Sequence, residues 1–454
     1  MKVYPQYKDS GVPWLEHVPE HWESLKLRTI LSPNTERNRP DLPLLSVVRE
    51  KGIIKRNTKS KEENHNTIPE DLSNYKVVRS GQFAMNKMKA WQGSYGVSAF
   101  DGIVSPAYFI FDINRVGGEF FHLAMRSKAY VPFFTRASDG VRIGQWDLNQ
   151  TRMKEIPFFV PTQDEQQQIS RYLDWQTSKI NKFIKAKKKL IALLKEQKQN
   201  VINEAVTKGI NLDVEMKDSG VEWLGEIPKH WDVRRCKYIL REINVRSVDG
   251  SEEHLSMSQK HGGLVGREEI TERRLMSENY AGGKICNKGD IVLNRLKAHL
   301  GVFAVAPRTG VISPDYTVLN VMGTALPEFI ECVLKSSKLR PELRVRCKGI
   351  VEGFWRLYTD DLYTLSLPLP PKEEQNEIMM EIARRSSKVD QTISKAEREI
   401  ELIQEYRTRL VSDVVTGKVD VSSVEIPDFE PVEADLEVQD DEESEDELIT
   451  EGEE

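Results

Sequence analysis

The chain has 454 residues, 39% hydrophobic, 8% aromatic and 30% charged, too long for one ordinary core and too apolar for a disordered chain, so about two to four folded domains are expected. Its cysteines, Cys236, Cys286, Cys332 and Cys347, form no C-x-x-C pair, which excludes a disulfide framework and a simple zinc ribbon and fits a reducing cytosol. No apolar run reaches the ~20 residues of a bilayer span, and the first residues lack an apolar signal core, so a soluble cytoplasmic protein is expected. The net charge of −6 hides an asymmetry: residues 421–454 hold sixteen acids and no Lys or Arg, leaving 55 acidic against 65 basic residues in 1–420, a formal +10. A basic body suits a polyanion such as nucleic acid, and the acidic tail reads as a disordered, solubilising segment.

In chain order, the first element is the run K-D-S-G-V-P-W-L-E-H-V-P-E-H-W at 8–22. It returns as K-D-S-G-V-E-W-L-G-E-I-P-K-H-W at 217–231, ten of fifteen positions identical at a shift of 209. His21 and His230 occupy the same Pro-x-His-Trp context, where packing is favoured over metal binding. Short apolar runs then predict strands at Gln82–Met85 and Val104–Ile113, with copies at Asp290–Leu293 and Ile312–Val321. Short helices are predicted over Glu119–Ser127 and Pro327–Ser336. Between the strands, 86–108 matches 294–316. Farther on, Gly140-Val141-x-x-Gly144-x-Trp146-x-Leu148 recurs as Gly349-Ile350-x-x-Gly353-x-Trp355-x-Leu357. Pro161-x-x-Asp164-Glu165-Gln166 returns as Pro370-x-x-Glu373-Glu374-Gln375. A period near 209 is too long for a solenoid. The chain is two copies of one module, an α+β globular part followed by a long helix.

The long helices carry the clearest signal. Thr162-Gln163-Asp164-Glu165 has capping-box form, and Pro371 suits a first helical turn. Apolar residues fall at Ile169, Leu173, Ile180, Phe183, Leu190, Leu194 and Val201. In the second copy they fall at Ile378, Ile382, Val389, Ala396, Ile403, Tyr406 and Leu410. A stripe of period 3.5 predicts a coiled-coil seam, and equal length and phase favour the two helices pairing with each other. The expected divisions are globular parts at 1–160 and 210–369, helices at 161–209 and 370–420, and the acidic tail from 421.

No catalytic signature holds: there is no phosphate loop, G-x-G-x-x-G, H-E-x-x-H or G-x-S-x-G. Nor is there the Asn-Pro-Pro-Tyr or Asp-Pro-Pro-Tyr box of amino-methyltransferases. Ser313-Pro314-Asp315-Tyr316 is only superficially close, and Ser105-Pro106-Ala107-Tyr108 lacks the acid. The repeated loops instead offer basic and amide side chains. Lys87, Lys89, Arg295 and Lys297 suit phosphate, and Arg suits guanine as well. Asn86 and Asn294 suit an adenine edge or a turn. Arg136, Arg142, Arg344, Arg346 and Lys348 lie just before or within the second repeated loop. Trp146 and Trp355 are expected to pack beneath these loops.

The doubled K-D-S-G-V-x-W-L, P-x-H-W and Pro then Glu-Gln helix start resemble the specificity subunit of type I restriction–modification systems, over about residues 1–420. The resemblance implies two target recognition domains joined by two long antiparallel coiled-coil helices with a pseudo-two-fold. It implies a non-catalytic chain with no cofactor of its own, whose helices dock modification (methyltransferase) subunits. Those subunits supply S-adenosylmethionine, and restriction subunits supply ATP- and Mg-dependent cleavage. It implies double-stranded DNA as ligand, read at an asymmetric bipartite target with an unread gap. A stand-alone nuclease and a coiled-coil adaptor without a nucleic-acid role are the rival readings.

Overall fold

The computed structural model describes residues 2–49, 51–56, 71–140, 146–211, 213–258, 262–269, 280–349 and 355–432. In chain order the first copy supplies β1 (Leu31–Asn34), β2 (Phe83–Asn86), β3 (Tyr95–Val97), β4 (Tyr108–Ile113), α1 (Gly118–Arg126), α2 (Val131–Arg136) and α3 (Gln163–Lys208). The second supplies β5 (Leu240–Ile243), β6 (Ile291–Asn294), β7 (Phe303–Val305), β8 (Tyr316–Val321), α4 (Pro327–Lys335), α5 (Arg340–Arg346) and α6 (Lys372–Val415). The chain divides into two compact units, Met1–Lys188 with Glu397–Glu454, and Lys189–Ala396. Each unit therefore takes half of each long helix, a division that no linear reading of the repeat anticipates.

Each unit builds the same four-stranded antiparallel sheet, in the order β1-β4-β2-β3 and β5-β8-β6-β7. The registers agree, Tyr108 lying opposite Asn86 and Tyr316 opposite Asn294. The strand expected over Val104–Ile113 is in fact two, because Gly102–Val104 pairs with Lys76–Val78 and β4 starts afresh at Tyr108. The break is a turn at Ser105-Pro106, closed by the Tyr108 amide donating to the Ser105 carbonyl at 3.0 Å. Proline fixes φ for such a turn and has no N–H for a ladder. The Ser313-Pro314 turn closes identically at Tyr316, at 3.1 Å. The Ser-Pro-x-Tyr quartets are turn chemistry.

Helices α1 and α4 bury one face each, Phe120, Phe121, Ala124 and Met125 in the first unit and Phe329, Ile330, Val333 and Leu334 in the second. The motifs repeated at each domain's start and each helix's start meet here. In the first unit Trp22, fully buried, donates its indole N–H to Glu165 Oε1 at 3.1 Å. His21 Nε2 lies 2.9 Å from Glu165 Oε2, and the Tyr4 hydroxyl donates to Oε1. In the second unit Trp231 and His230 hold Glu374 at 3.0 and 2.7 Å. The neighbouring Gln166 accepts from the Gly117 amide and donates to the Pro161 carbonyl, as Gln375 does with Leu326 and Pro370. The Glu165 carboxylate thus does not make the expected return bond of a capping box. It is drawn instead to three donors of the first domain, and Thr162 Oγ1 approaches the Glu165 amide only at 3.4 Å.

The far ends of the helices dock reciprocally. Past α6, Gly417 has φ +75, and a Cβ there would meet Pro19 Cδ at 2.3 Å; past α3, Gly209 has φ +78 and sits against Trp231. Only glycine tolerates that left-handed turn and close approach at Gly417.

Helices α3 and α6, of 46 and 44 residues, would each span about 65–70 Å at ~1.5 Å per residue. They run antiparallel in both units. Lys187 pairs with Glu399 at 2.5 Å in the first, and Lys198 with Asp390 at 2.7 Å in the second. Ile169, Leu173, Ile180, Ile378, Ile382, Ala396 and Leu410 are buried as the stripe requires, while Leu194, Val201, Val389 and Ile403 are half-buried. Phe183 and Leu190, each 39% exposed, and Tyr406, 41% exposed, leave the seam. Ile184 and Ile191 face inward in their place, and Arg407 replaces Tyr406. The sequence offers adjacent apolar pairs at 183/184 and 190/191, and a helix of 3.6 residues per turn drifts off a strict 3.5 repeat, so the face moves on by one residue. Burial draws the Arg407 guanidinium below its usual pKa.

The tail expected to be disordered from 421 is ordered as far as the described chain reaches. Val419 and Val421 are buried in the first core, and the segment to Val432 runs back along α3. The reason is apolar content: Val421, Val424 and Ile426 precede the densely acidic stretch. Residues 433–454 lie outside the described residues. All four cysteines are free, with burial pushing Cys236 up to about 12 and Cys286 up to about 11. Among the described residues no helix is long and apolar enough to cross a membrane.

Candidate nucleic-acid interface

In both units the first group of candidates, Asn86, Lys87 and Lys89 and their counterparts Asn294, Arg295 and Lys297, sits on the hairpin loop that leaves the sheet's third strand. At the end of β2, Asn86 Oδ1 accepts from the Met88 amide at 3.0 Å, and Gly93, at φ 96, turns the chain back into β3. At the end of β6, Asn294 Oδ1 accepts from the Leu296 and Lys297 amides at 3.2 and 3.3 Å. Gly301, at φ 75, then leads into β7. Of the two roles open to these asparagines, the structure shows the turn. The amide oxygen that a bidentate adenine contact needs is engaged within the loop in both copies.

The second repeated loop closes on the first by the same contacts in each unit. The Leu148 amide donates to the Lys87 carbonyl at 3.0 Å, and the Leu357 amide to the Arg295 carbonyl at 3.1 Å. Trp146 packs on Trp91 with ring centroids 5.1 Å apart, and Trp355 on His299 at 5.3 Å. The two tryptophans are half-buried beneath the paired loops. Helix α2 joins them in the first unit, Thr135 Oγ1 donating to the Trp91 carbonyl at 3.0 Å.

The basic side chains divide by their partners. Arg136 lies over the Trp14 ring at 5.4 Å, and Arg344 over Trp355 at 5.2 Å. Both are exposed, so each stacked guanidinium keeps its hydrogen-bonding edge for a phosphate or guanine. Arg295 is 24% exposed, with Nε donating to the Asp315 carbonyl at 2.8 Å. That bond fixes the side chain and leaves its terminal nitrogens, one of them 3.7 Å from the Asp315 carboxylate, as the outward fork. Lys87 pairs with Asp147 at 2.8 Å and Lys348 with Asp361 at 2.7 Å. Lys89 is half-buried and Lys297 exposed. Arg346 is half-buried and bonded to Glu342 and to Thr364 Oγ1. Arg142 lies outside the described residues.

Sequence reasoning missed a second layer. Lys76 and Lys284, equivalent at a shift of 208, are 9% and 4% exposed and stand beside the loop cations. Burial holds Lys76 below its usual pKa, and the charges of Arg37 and Lys87 add to the effect. Burial lowers Lys284 too, opposed by Glu242 and helped by Arg295 and Arg246. Arg37 and Arg246 bridge to these lysines in the backbone ladder. Each unit thus concentrates positive charge behind its loops. Aligning the copies through 75–90 and 283–298 would have flagged the lysine pair.

No family model matches the chain. Two curated relatives come from Methanocaldococcus jannaschii. The putative type I restriction enzyme MjaX specificity subunit is 25% identical over 62% of this chain and 63% of its own length. The type I restriction enzyme MjaVIII specificity subunit is 23% identical over 74% of this chain and 79% of its own. This chain thus spans somewhat under two thirds of the first relative. A solved chain, from work on complex assembly and conformational transition of the type I R-M system, shares the fold with a TM-score of 0.63 at 14% identity, over 88% of this chain and 99% of that one. The chain is thus similar in sequence to type I restriction enzyme specificity subunits, which its doubled motifs resemble, and it shares its fold with a chain of the type I R-M system.

Proposed function

We propose that this chain is the non-catalytic DNA-recognition subunit of a type I restriction–modification complex, with each unit reading one half of an asymmetric, gapped duplex target. The observation that carries this reading is the repeated loop pair. The same two loops close in the same way in both units, each beside a tryptophan-stacked arginine, Arg136 or Arg344, and each with a buried lysine, Lys76 or Lys284, near its cation at 87 or 295. Their readout residues differ, Lys87 against Arg295 and Trp91 against His299, so the two half-sites differ. The α3–α6 pair is the scaffold for methyltransferase subunits, which bring S-adenosylmethionine. Restriction subunits bring ATP- and Mg-dependent cleavage. This chain needs no cofactor of its own in that scheme.

Arg295→Ala tests the readout. If the guanidinium reads a guanine, selectivity falls at one base pair of one half-site by about 1–3 kcal/mol, and the other half-site is untouched. If it holds a phosphate, affinity falls evenly over all sequences and the salt dependence loses about one unit of slope. Competition binding at several salt concentrations separates the two, and no change in either removes Arg295 from the interface. Metal-dependent cleavage of DNA by the pure chain would favour the nuclease reading. Absence of any binding, with or without modification subunits, would favour the adaptor.

A further inference from the structure

We infer that Lys76, Arg37 and Lys87 form a seat for one phosphate group at the root of the first unit's loop pair, filled by the backbone of a bound duplex, and that Glu242 closes the corresponding seat of the second unit. On the proposed DNA reading, on which this rests, the two units hold the duplex backbone unequally. Lys76 is 9% exposed, and its ammonium, which carries three hydrogens, donates to the Tyr108 carbonyl at 2.5 Å. The other two hydrogens find no acceptor among the described residues. Tyr108 lies opposite Asn86, so the ammonium stands where the hairpin loop leaves the sheet. Arg37, itself exposed, is paired directly across from Lys76 in an antiparallel bridge. Like charges directly opposite each other destabilise a ladder. Lys87 adds a third positive charge nearby, and the three cations have one ion-pair partner among the described residues, Asp147 on Lys87. A buried cation so poorly matched costs free energy that an oxyanion would recover.

The second unit carries its own counter-ion at this place. Arg246 lies across from Lys284, and Arg295 stands by it as Lys87 stands by Lys76. There Glu242 Oε1 lies 3.7 Å from Lys284 Nζ. Glu242 sits on β5 opposite Leu319, and its counterpart on β1, opposite Phe111, is Pro33, which offers no carboxylate. The two units thus differ by one negative charge at one point of the same framework. A phosphate group supplies that charge to the first unit. Its oxygens can take the two remaining lysine hydrogens and the forked guanidinium of Arg37.

Inorganic phosphate and a mixed-sequence duplex are the two probes, applied to the full chain, to Lys76→Met and to Glu242→Gln. Lys76→Met keeps the apolar stem and removes the charge, whereas Glu242→Gln opens the second seat. In thermal unfolding at matched ionic strength, phosphate in place of chloride should raise the melting temperature of the unmodified chain, less that of Lys76→Met, and more that of Glu242→Gln. In duplex binding at several salt concentrations, Lys76→Met should lose several-fold in affinity and about one unit of salt slope, and Glu242→Gln should gain about one unit. Glu242→Gln carries both readouts should Lys76→Met fold poorly. Equal phosphate responses in the three chains would overturn the seat. Altered phosphate responses with an unchanged salt slope would mean that the seat takes free phosphate, and would overturn its assignment to the duplex backbone. A chain that binds no duplex would sink the proposed function and the backbone assignment with it, while the phosphate series alone still decides whether the seat exists.

Discussion

Glu165→Ala is expected to destabilise the first unit by about 3–5 kcal/mol, because it strips the acceptor from two buried donors and a histidine at once. The Trp22 indole and the Tyr4 hydroxyl both converge on Glu165 Oε1, in a site where the carboxylate side chain is 8% exposed. A buried donor left without a partner costs about 1–3 kcal/mol. The contact also closes the start of α3 onto the domain that precedes it, so the loss spreads to the helix. Glu374→Ala should cost less. Its side chain is 22% exposed, and Asp213 stands in the repeat where Tyr4 would supply a third donor. Hydrogen exchange followed by mass spectrometry separates the units. Protection should fall in β1–β4 for Glu165→Ala and in β5–β8 for Glu374→Ala. Equal, small effects in both variants would mean that the Glu–Trp–His contact is peripheral to stability.

Ile191→Asp against Leu190→Asp is the second large contrast. Ile191 is 9% exposed on the face where α3 meets α6, whereas its neighbour Leu190 is 39% exposed. A carboxylate at 191 loses the apolar contact and is buried without a cation, a cost of about 3–5 kcal/mol unless it takes up a proton. At 190 it projects toward water and should cost under ~1 kcal/mol. Thermal unfolding of the two variants checks the ordering. The strict 3.5 stripe read from the sequence predicts the reverse ordering, so the pair also decides where the seam runs.

The legible parts of the molecule are those that local chemistry specifies. Both long helices, the duplicated α+β plan, α1 and α4 and the central strands follow from periodicity and repetition. The helices' seam was half legible, because adjacent apolar pairs at 183/184 and 190/191 leave the phase to tertiary packing. The contact of Glu165 with Trp22 and His21 was invisible for another reason. Both motifs stood out as repeats, yet nothing in the linear chain says that residues 143 and 144 positions apart share one site. The division of the units was hidden likewise, since each is closed by the far end of the other copy's helix. At the candidate interface the loops were legible as repeated, basic and glycine-closed. The roles within them were not. Asn86 and Asn294 are occupied by their own turns, and Lys76 and Lys284 lie on strands whose apolar neighbours mask them.

The most direct test is selection of bound duplexes from a randomised library by the full chain, alone and together with the modification subunits proposed as its partners. The account predicts two short enriched blocks of different sequence, separated by a fixed number of unenriched positions, with Arg295→Ala relaxing one block alone. A single enriched block, two identical blocks, or binding without sequence enrichment would contradict it.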